Sequence, residues 1–214
     1  MRAIIFANGQ MKYLPKGIHP LKTDDLIIAA DGGLRFCLQE NIIPHLIVGD
    51  LDSINEAQLI EMKNTGTQVI QYPVDKDATD LELSLQVALN KGTHQIIIVS
   101  ALGARWDMTF SNVLLLASDL LIDVDVKILD LNQELFCIKG PAQINLIHHK
   151  GDNISLMPLS ECVKGMTLKG MKYPLNNESL CMGTSRGLSN IVIDDKAAIH
   201  IQSGVLLICI ADFF

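Results

Sequence analysis

Acidic residues gather just after short apolar runs in the first two thirds of this 214-residue chain. Val48-Gly49-Asp50-Leu51-Asp52-Ser53 follows one run, and in an extended segment Asp50 and Asp52 point to the same side. Two carboxylates converging there repel unless a cation lies between them, and hard oxygen donors suit Mg²⁺. A second group, Asp75-Lys76-Asp77-Ala78-Thr79-Asp80-Leu81-Glu82, opens an apolar helical pattern. Thr79 and Glu82 have capping-box spacing, which explains those two positions but not Asp75, Asp77 and Asp80 around them. A helix N-terminus tolerates negative charge, yet three carboxylates exceed what a cap requires. A metal shared with Asp50 and Asp52 relieves the repulsion and leaves Lys76 free to reach a phosphate.

Two further run ends complete the set. Ala30-Asp31-Gly32-Gly33 carries two glycines that would let a ligand approach the backbone closely. Ser100-Ala101-Leu102-Gly103-Ala104-Arg105-Trp106-Asp107 supplies Arg105, a donor suited to phosphate oxygens, with Phe110-Ser111-Asn112 beyond it. Ser53 is expected to cap a helix over 54–63, Asp107 or Thr109 to cap the next one, and Trp106 to pack inside. Paired carboxylates, a lysine, an arginine and glycine turns together read as a site for a magnesium-bound polyphosphate. The chain has no Walker A motif and no G-x-G-x-x-G. His19, His45, His94, His148, His149 and His200 show no zinc-ligand pattern.

The elements that position these residues follow from the apolar pattern. Short β-branched runs at 2–7, 26–30, 46–48, 68–72, 95–100 and 124–129 are nearly all apolar, as strands buried on both faces are. Leu81, Leu85, Ala88 and Leu89 repeat at helical spacing, and so do Phe110, Val113, Leu114, Ala117 and Leu121. This alternation predicts a Rossmann-like α/β domain with a parallel sheet, whose ligands bind at the carboxyl ends of the strands. Beyond about 138, turn signals separate runs at 143–148, 153–157, 162–168, 178–182, 190–193, 198–202 and 205–210, which predicts an antiparallel sandwich or barrel.

Charge divides at the same place. Residues 1–138 hold 18 acidic and 10 basic side chains, whereas 139–214 hold 6 and 7. Two domains, 1–138 and 139–214, with different tasks are expected. The net charge of −7 argues against nucleic acid as a partner. No apolar run is long enough to span a bilayer or serve as a signal peptide, so a cytoplasmic protein away from membranes is expected. The five cysteines, Cys37, Cys137, Cys162, Cys181 and Cys209, are odd in number and lack C-x-x-C spacing, which reads as reduced core thiols.

The ordered motifs resemble those of the thiamine pyrophosphokinase family. Ala30-Asp31-Gly32-Gly33, Gly49-Asp50-Leu51-Asp52-Ser53, Asp75 to Glu82 and Gly103 to Asp107 match in order and approximate spacing. Gly151-Asp152-Asn153-Ile154-Ser155-Leu156-Met157-Pro158-Leu159 is similar to a G-x-x-(I/V)-S-L-x-P-L segment of that family. Lys169-Gly170-Met171-Lys172-Tyr173-Pro174-Leu175 is similar to its G-x-K-Y-x-L segment, and Gly183-Thr184-Ser185 and Ser189-Asn190 to its closing S-N motif, with Ser185 or Ser189 as the matching serine and the adjacent Asn190 favouring Ser189. The resemblance implies an ATP-binding α/β domain and a thiamine-binding, dimerising β-sandwich. It implies transfer of the pyrophosphoryl group of ATP to the thiamine hydroxyl, in a homodimer with active sites formed between subunits. It places Asp50, Asp52, Asp77 and Asp80 around Mg²⁺ as the catalytic carboxylates. Asp31, Gly32, Gly33, Lys76, Thr79, Arg105, Asp107 and Asn112 fall on the nucleotide side, and Ser189 and Asn190 on the thiamine side. The chain departs from the family at Met108, where a histidine is usual, and at Gly183-Thr184-Ser185-Arg186-Gly187-Leu188-Ser189-Asn190, which interrupts the compact G-T-S-N. Residues 174–212 contain no aromatic side chain to stack on the thiamine rings. Two other functions fit the same carboxylates: a pyrophosphokinase acting on another hydroxymethyl heterocycle such as a pterin, and a non-catalytic ATP–Mg²⁺ sensor.

Overall fold

The computed structural model describes residues 1–18, 21–103 and 105–211, so His19 and Ala104 lie outside the described residues. It divides into two compact units, Met1–Leu131 and the remainder from Asn132.

The first unit is built on a parallel sheet of β1 (Arg2–Phe6), β2 (Leu26–Ala30), β3 (Leu46–Gly49), β4 (Gln68–Gln71), β5 (Gln95–Val99) and β6 (Asp125–Asp130). The strand order is β6-β5-β1-β2-β3-β4, and every pairing is parallel. The chain winds outward from β1 through β4, then returns to the other side of β1 with β5. The direction of winding therefore reverses between β1 and β5, and that reversal opens a crevice at the strands' carboxyl ends. β1 and β5 are buried from their second residue onward, as expected of central strands.

The intervening helices are α1 (Leu34–Gln39), α2 (Glu56–Asn64), α3 (Asp80–Asn90) and α4 (Trp106–Leu115). α3 packs on β1, β2 and β3 through Leu81, Leu85 and Ala88, in line with its apolar spacing. Its cap is Thr79, whose hydroxyl accepts from the Glu82 N–H at 3.2 Å. α2 starts later than expected. Asn55, not Ser53, caps it, its side chain accepting from the Gln58 N–H at 2.8 Å. Ser53 instead donates to the Asp52 carboxylate at 3.1 Å, so its hydroxyl is turned to the acidic loop.

α4 corrects two expectations. Its cap position is Arg105, which makes no capping bond; Asp107, inside the first turn, pairs with Arg105 and accepts from the Met108 N–H at 2.9 Å, and the Thr109 hydroxyl donates to the Gly103 carbonyl. Trp106 does not pack inside but is 87% exposed. Phe110 and Leu114, four and eight residues on, are also exposed, so the helix carries an apolar stripe on its outer face. Amphipathic spacing identified the helix, but it does not say which apolar face meets the core.

The second unit holds two antiparallel sheets. One has the order β12-β9-β14-β7 and the other β11-β10-β13-β8. The strands are β7 (Gln133–Lys139), β8 (Ala142–Asn145), β9 (Asn153–Pro158), β10 (Cys162–Lys169), β11 (Leu175–Cys181), β12 (Asn190–Ile191), β13 (Ala198–Ile201) and β14 (Val205–Ala211). Ile154, Leu156, Leu206 and Ile208 from the first sheet share one core with Val163, Leu168, Ile199 and Ile201 from the second, which makes a sandwich. β7 pairs with β14 along its whole length, from Val205↔Lys139 to Ala211↔Gln133. The unit therefore takes in residues before 138.

The expectation of reduced thiols throughout is overturned at one pair. Cys162 and Cys181 are register partners on β10 and β11 and are disulfide-bonded. Strand pairing brings them together, and the sequence contains no signal of that pairing. Cys37, Cys137 and Cys209 are free, with burial pushing the Cys37 thiol up to about 12. Among the described residues no helix is long and apolar enough to cross a membrane.

Candidate active site

The carboxyl ends of β1, β2 and β5, with the start of α3, surround a cleft of about 190 Å³. Asn8, Asp31, Asp80, Arg105, Met108 and Asn112 are among its lining residues. The cleft sits at the winding reversal between β1 and β5, where open α/β sheets bind their ligands.

The backbone is unusual around it. Asp31 (φ 43), Leu51 (φ 70) and Ser100 (φ 54) all adopt left-handed conformations, one after each of β2, β3 and β5. Such residues are uncommon outside glycine and cost roughly 1–3 kcal/mol each. At Leu51 the left-handed turn lies between Asp50 and Asp52 and sets how the two carboxylates meet.

β2 and β3 are neighbours, with Ala30 opposite Val48. Their ends therefore bring Asp31 beside the acidic loop. Carboxylate oxygens of Asp31, Asp50 and Asp52 all lie within 4.8 Å of one another. Asp31 is buried, and its Oδ1 has no hydrogen-bond partner among the described residues. An orphaned buried carboxylate oxygen is costly unless a cation or donor completes it. Three oxygen donors of this kind fit a hard divalent cation such as Mg²⁺.

Lys76 joins this group to α3. Its ammonium lies 2.5 Å from Asp50 Oδ2 and 3.2 Å from Asp80 Oδ1. The hydrogen bond from Lys76 holds the Asp50 carboxyl below the usual carboxylate range, and the same contact raises the Lys76 ammonium. Asp80 moves the other way because burial outweighs its contact with Lys76. The trio holds two ionised groups beside one carboxyl with a greater hold on its proton.

Other expected residues are placed differently. Asp77 is exposed and lies outside the carboxylate group. Thr79 is engaged as the α3 cap. Arg105 lines the cleft but is largely exposed and paired with Asp107 at 2.5 Å, which raises the guanidinium and lowers the carboxyl. Asn112 is buried. Its amide donates to the Ala101 carbonyl at 2.8 Å, and its buried Oδ1 has no hydrogen-bond partner among the described residues.

Gly32 and Gly33 have a packing reason. A Cβ on Gly32 would fall 2.3 Å from the Asn8 side chain, and one on Gly33 1.9 Å from the Phe6 carbonyl oxygen. Both glycines let the turn after β2 press against the end of β1. Asn8 itself went unnoticed in the sequence, although it follows an apolar strand as the other site residues do.

Ser189 and Asn190 belong to the second unit. Ser189 is exposed in a left-handed conformation (φ 56), and its N–H donates to Ser155 Oγ at 3.1 Å. Asn190 is buried, and its side chain is occupied by backbone groups of Tyr173 and Ile191.

A parallel sheet with carboxylates and cationic side chains at its strand ends, followed by a β-sandwich, is an arrangement suited to a phosphotransfer enzyme. Residues 19–128 match the thiamin pyrophosphokinase catalytic domain, and 142–206 match the thiamin pyrophosphokinase vitamin B1 binding domain. Thiamine pyrophosphokinase from Bacillus subtilis is 30% identical over 206 residues, covering 95% of each chain. A crystal structure of thiamine pyrophosphokinase from Bacillus subtilis superposes with a TM-score of 0.87 at 28% identity over the whole of both chains. That of thiamin pyrophosphokinase from Geobacillus thermodenitrificans gives 0.84 at 27% identity over 99% of this chain and 98% of that one. The chain belongs to the thiamine pyrophosphokinase family, and its activity is that of a thiamine diphosphate-forming pyrophosphotransferase.

Proposed function

We propose that the first unit binds ATP with Mg²⁺ at the strand-end cleft and that the second unit holds thiamine. The observation that supports this most is the group of Asp31, Asp50 and Asp52, with a buried oxygen of Asp31 that has no partner among the described residues. Asp50 and Asp52 would hold the metal and Asp31 would complete their set from the end of β2, with Asp80, at the start of α3, joined to Asp50 through Lys76 and the exposed Asp77 in the loop before it. When bound, Mg²⁺ withdraws charge from the phosphate oxygens.

In this reading the thiamine hydroxyl oxygen forms a bond to the β-phosphorus of ATP. The bond from that phosphorus to the oxygen bridging to the α-phosphate breaks, and AMP leaves with that oxygen. Asp80, whose carboxyl is raised above the usual carboxylate range by burial, takes the hydroxyl proton. Lys76 and Arg105 supply fixed positive charge along the phosphates, while Asp107 orients Arg105. Thr79 fixes the start of α3, Gly32 and Gly33 hold the turn that carries Asp31, and Asn112 lines the nucleotide cleft. Ser189 offers its hydroxyl to thiamine, and Asn190 acts there through the turn it anchors.

The reading includes a homodimer in the cytoplasm. The exposed stripe of Trp106, Phe110 and Leu114 is a surface that a second copy would cover. Metal dependence is the direct test of the carboxylate assignment. Chelation with EDTA should abolish thiamine diphosphate formation, and added Mg²⁺ should restore it. Full activity in EDTA would overturn the metal role of the acidic strand ends.

A further inference from the structure

Cys162 and Cys181, disulfide-bonded register partners at the open end of the β10–β11 hairpin, stand apart from the chain's other cysteines. Cys37, Cys137 and Cys209 are free, and burial pushes each thiol up, the first two to about 12. The thiolate is the form that reacts, so those three are inert. Cys181 is exposed and Cys162 is half-buried, so a small disulfide or thiol can reach this pair from solvent. In the cytoplasm proposed above, an accessible pair opens and closes with the redox poise and is not a permanent staple.

The pair joins a firmly held segment to a loosely held one. On the Cys162 side, Ser160 Oγ donates to the Cys162 carbonyl at 3.1 Å and accepts from the N–H of Val205 on β14 at 3.0 Å. On the Cys181 side the chain leaves the sheet for the loop 182–189, where Thr184, Ser185, Arg186 and Leu188 are exposed. The Met182 N–H donates to the Glu161 carbonyl at 2.9 Å, and the Gly187 carbonyl accepts from the Leu156 N–H at 2.9 Å. The ion pair of Arg186 with Glu178 is exposed on both sides and holds little. Strand pairing helps over a short length, because the β10–β11 register shifts between Val163 and Met166. The disulfide is a covalent hold on the first end of a loop that separates Gly183-Thr184-Ser185 from Ser189-Asn190.

We propose that Cys162 and Cys181 form a reversible thiol–disulfide exchange site for low-molecular-weight disulfides and thiols, and that its closed form holds the loop 182–189 in place. Closing starts from two thiols. The Cys181 thiolate attacks one sulfur of the small disulfide, whose S–S bond breaks and releases one small thiol. The Cys162 thiolate then attacks the Cys181 sulfur, which forms the protein disulfide and releases the second small thiol. Two electrons pass from the protein pair to the two released thiols, which also carry away the two protons. Two equivalents of the small thiol reverse both steps. Because the loop ends at Ser189, opening weakens thiamine binding, a consequence that rests on the thiamine reading above.

The test equilibrates the full chain at varied ratios of reduced to oxidised glutathione, traps the thiols by alkylation and counts them by mass. Five thiols under reducing conditions should fall to three in one step, with Cys162 and Cys181 as the pair lost. In the same samples, tryptic cleavage after Arg186 should be roughly fivefold faster in the open form, and KM for thiamine should be about threefold higher with KM for ATP unchanged. Cys162→Ser should show the open-form cleavage rate and KM at every ratio. A pair whose state is the same at every ratio overturns the exchange site. So does a lasting mixed disulfide on Cys181, or earlier oxidation of Cys37, Cys137 or Cys209. Equal cleavage of the two forms overturns the hold on the loop. A cleavage difference with an unchanged thiamine KM overturns the link to thiamine binding. Absence of thiamine diphosphate in both forms would overturn the activity itself, whereas the thiol count and the cleavage rate would still decide the exchange site.

Discussion

Asp50→Asn should lower kcat by at least about 10³-fold while leaving the fold intact. The substitution keeps the shape of the side chain and removes one negative charge from the oxygen group of Asp31, Asp50 and Asp52. It also leaves Lys76 facing a neutral amide in place of the carboxylate 2.5 Å away. Phosphoryl transfer asks little covalent work of the protein, so its rate depends on placed charge. A loss of 10³ corresponds to about 4 kcal/mol of transition-state stabilisation, within the range for removing one preorganised charge contact. Stability changes less, because losing the pair with Lys76 is offset by reduced repulsion among three carboxylates. Melting within a few degrees of the unaltered chain, together with the loss of turnover, is the expected pair of results. Turnover within tenfold of normal would remove Asp50 from the catalytic group.

Gly33→Ala should lower the melting temperature by roughly 6–12 °C. Gly33 has an ordinary right-handed helical backbone (φ −59), so alanine meets no conformational penalty there. The difficulty is steric. The new Cβ would lie 1.9 Å from the carbonyl oxygen of Phe6 and 2.6 Å from its carbon. Phe6 ends β1, which is paired on both sides with β2 and β5 and cannot recede. Overpacking against fixed backbone costs about 3 kcal/mol, and each kcal/mol shifts melting by roughly 2–4 °C in a chain of this size. Gly66→Ala is the contrast: its Cβ would meet nothing within 4 Å, so only the cost of φ +95 applies. A Gly33→Ala variant melting within 2 °C of the unaltered chain would contradict this account of the turn.

Much of the site could be read from the sequence for one physical reason. Strands buried on both faces are continuous apolar runs, so the first polar residue after each run marks a carboxyl end. Asp31 and Asp50 stand out that way, while Asp80 and Arg105 lie several residues beyond their runs, where the next helices begin. Which of them meet depends on strand order, and strand order does not appear in local pattern. Asp31 joins Asp50 and Asp52 because β2 lies beside β3. Lys76 reaches Asp50 because α3 docks against β3. Trp106 shows the limit of residue type, since an apolar side chain at helical spacing can face outward as readily as in. Cys162 and Cys181 meet only through the register of β10 on β11. Asn190 shows a different limit. Its type suggests a ligand contact, whereas its hydrogen bonds hold Tyr173.

The central claim is that a carboxylate-bound magnesium site transfers the pyrophosphoryl group of ATP intact to thiamine. The most direct measurement is the ratio of AMP to thiamine diphosphate formed by the purified chain with ATP, Mg²⁺ and thiamine. The account predicts one AMP for each thiamine diphosphate, with neither formed when Mg²⁺ is omitted. Formation of ADP with thiamine monophosphate, or of AMP without a thiamine product, would contradict it.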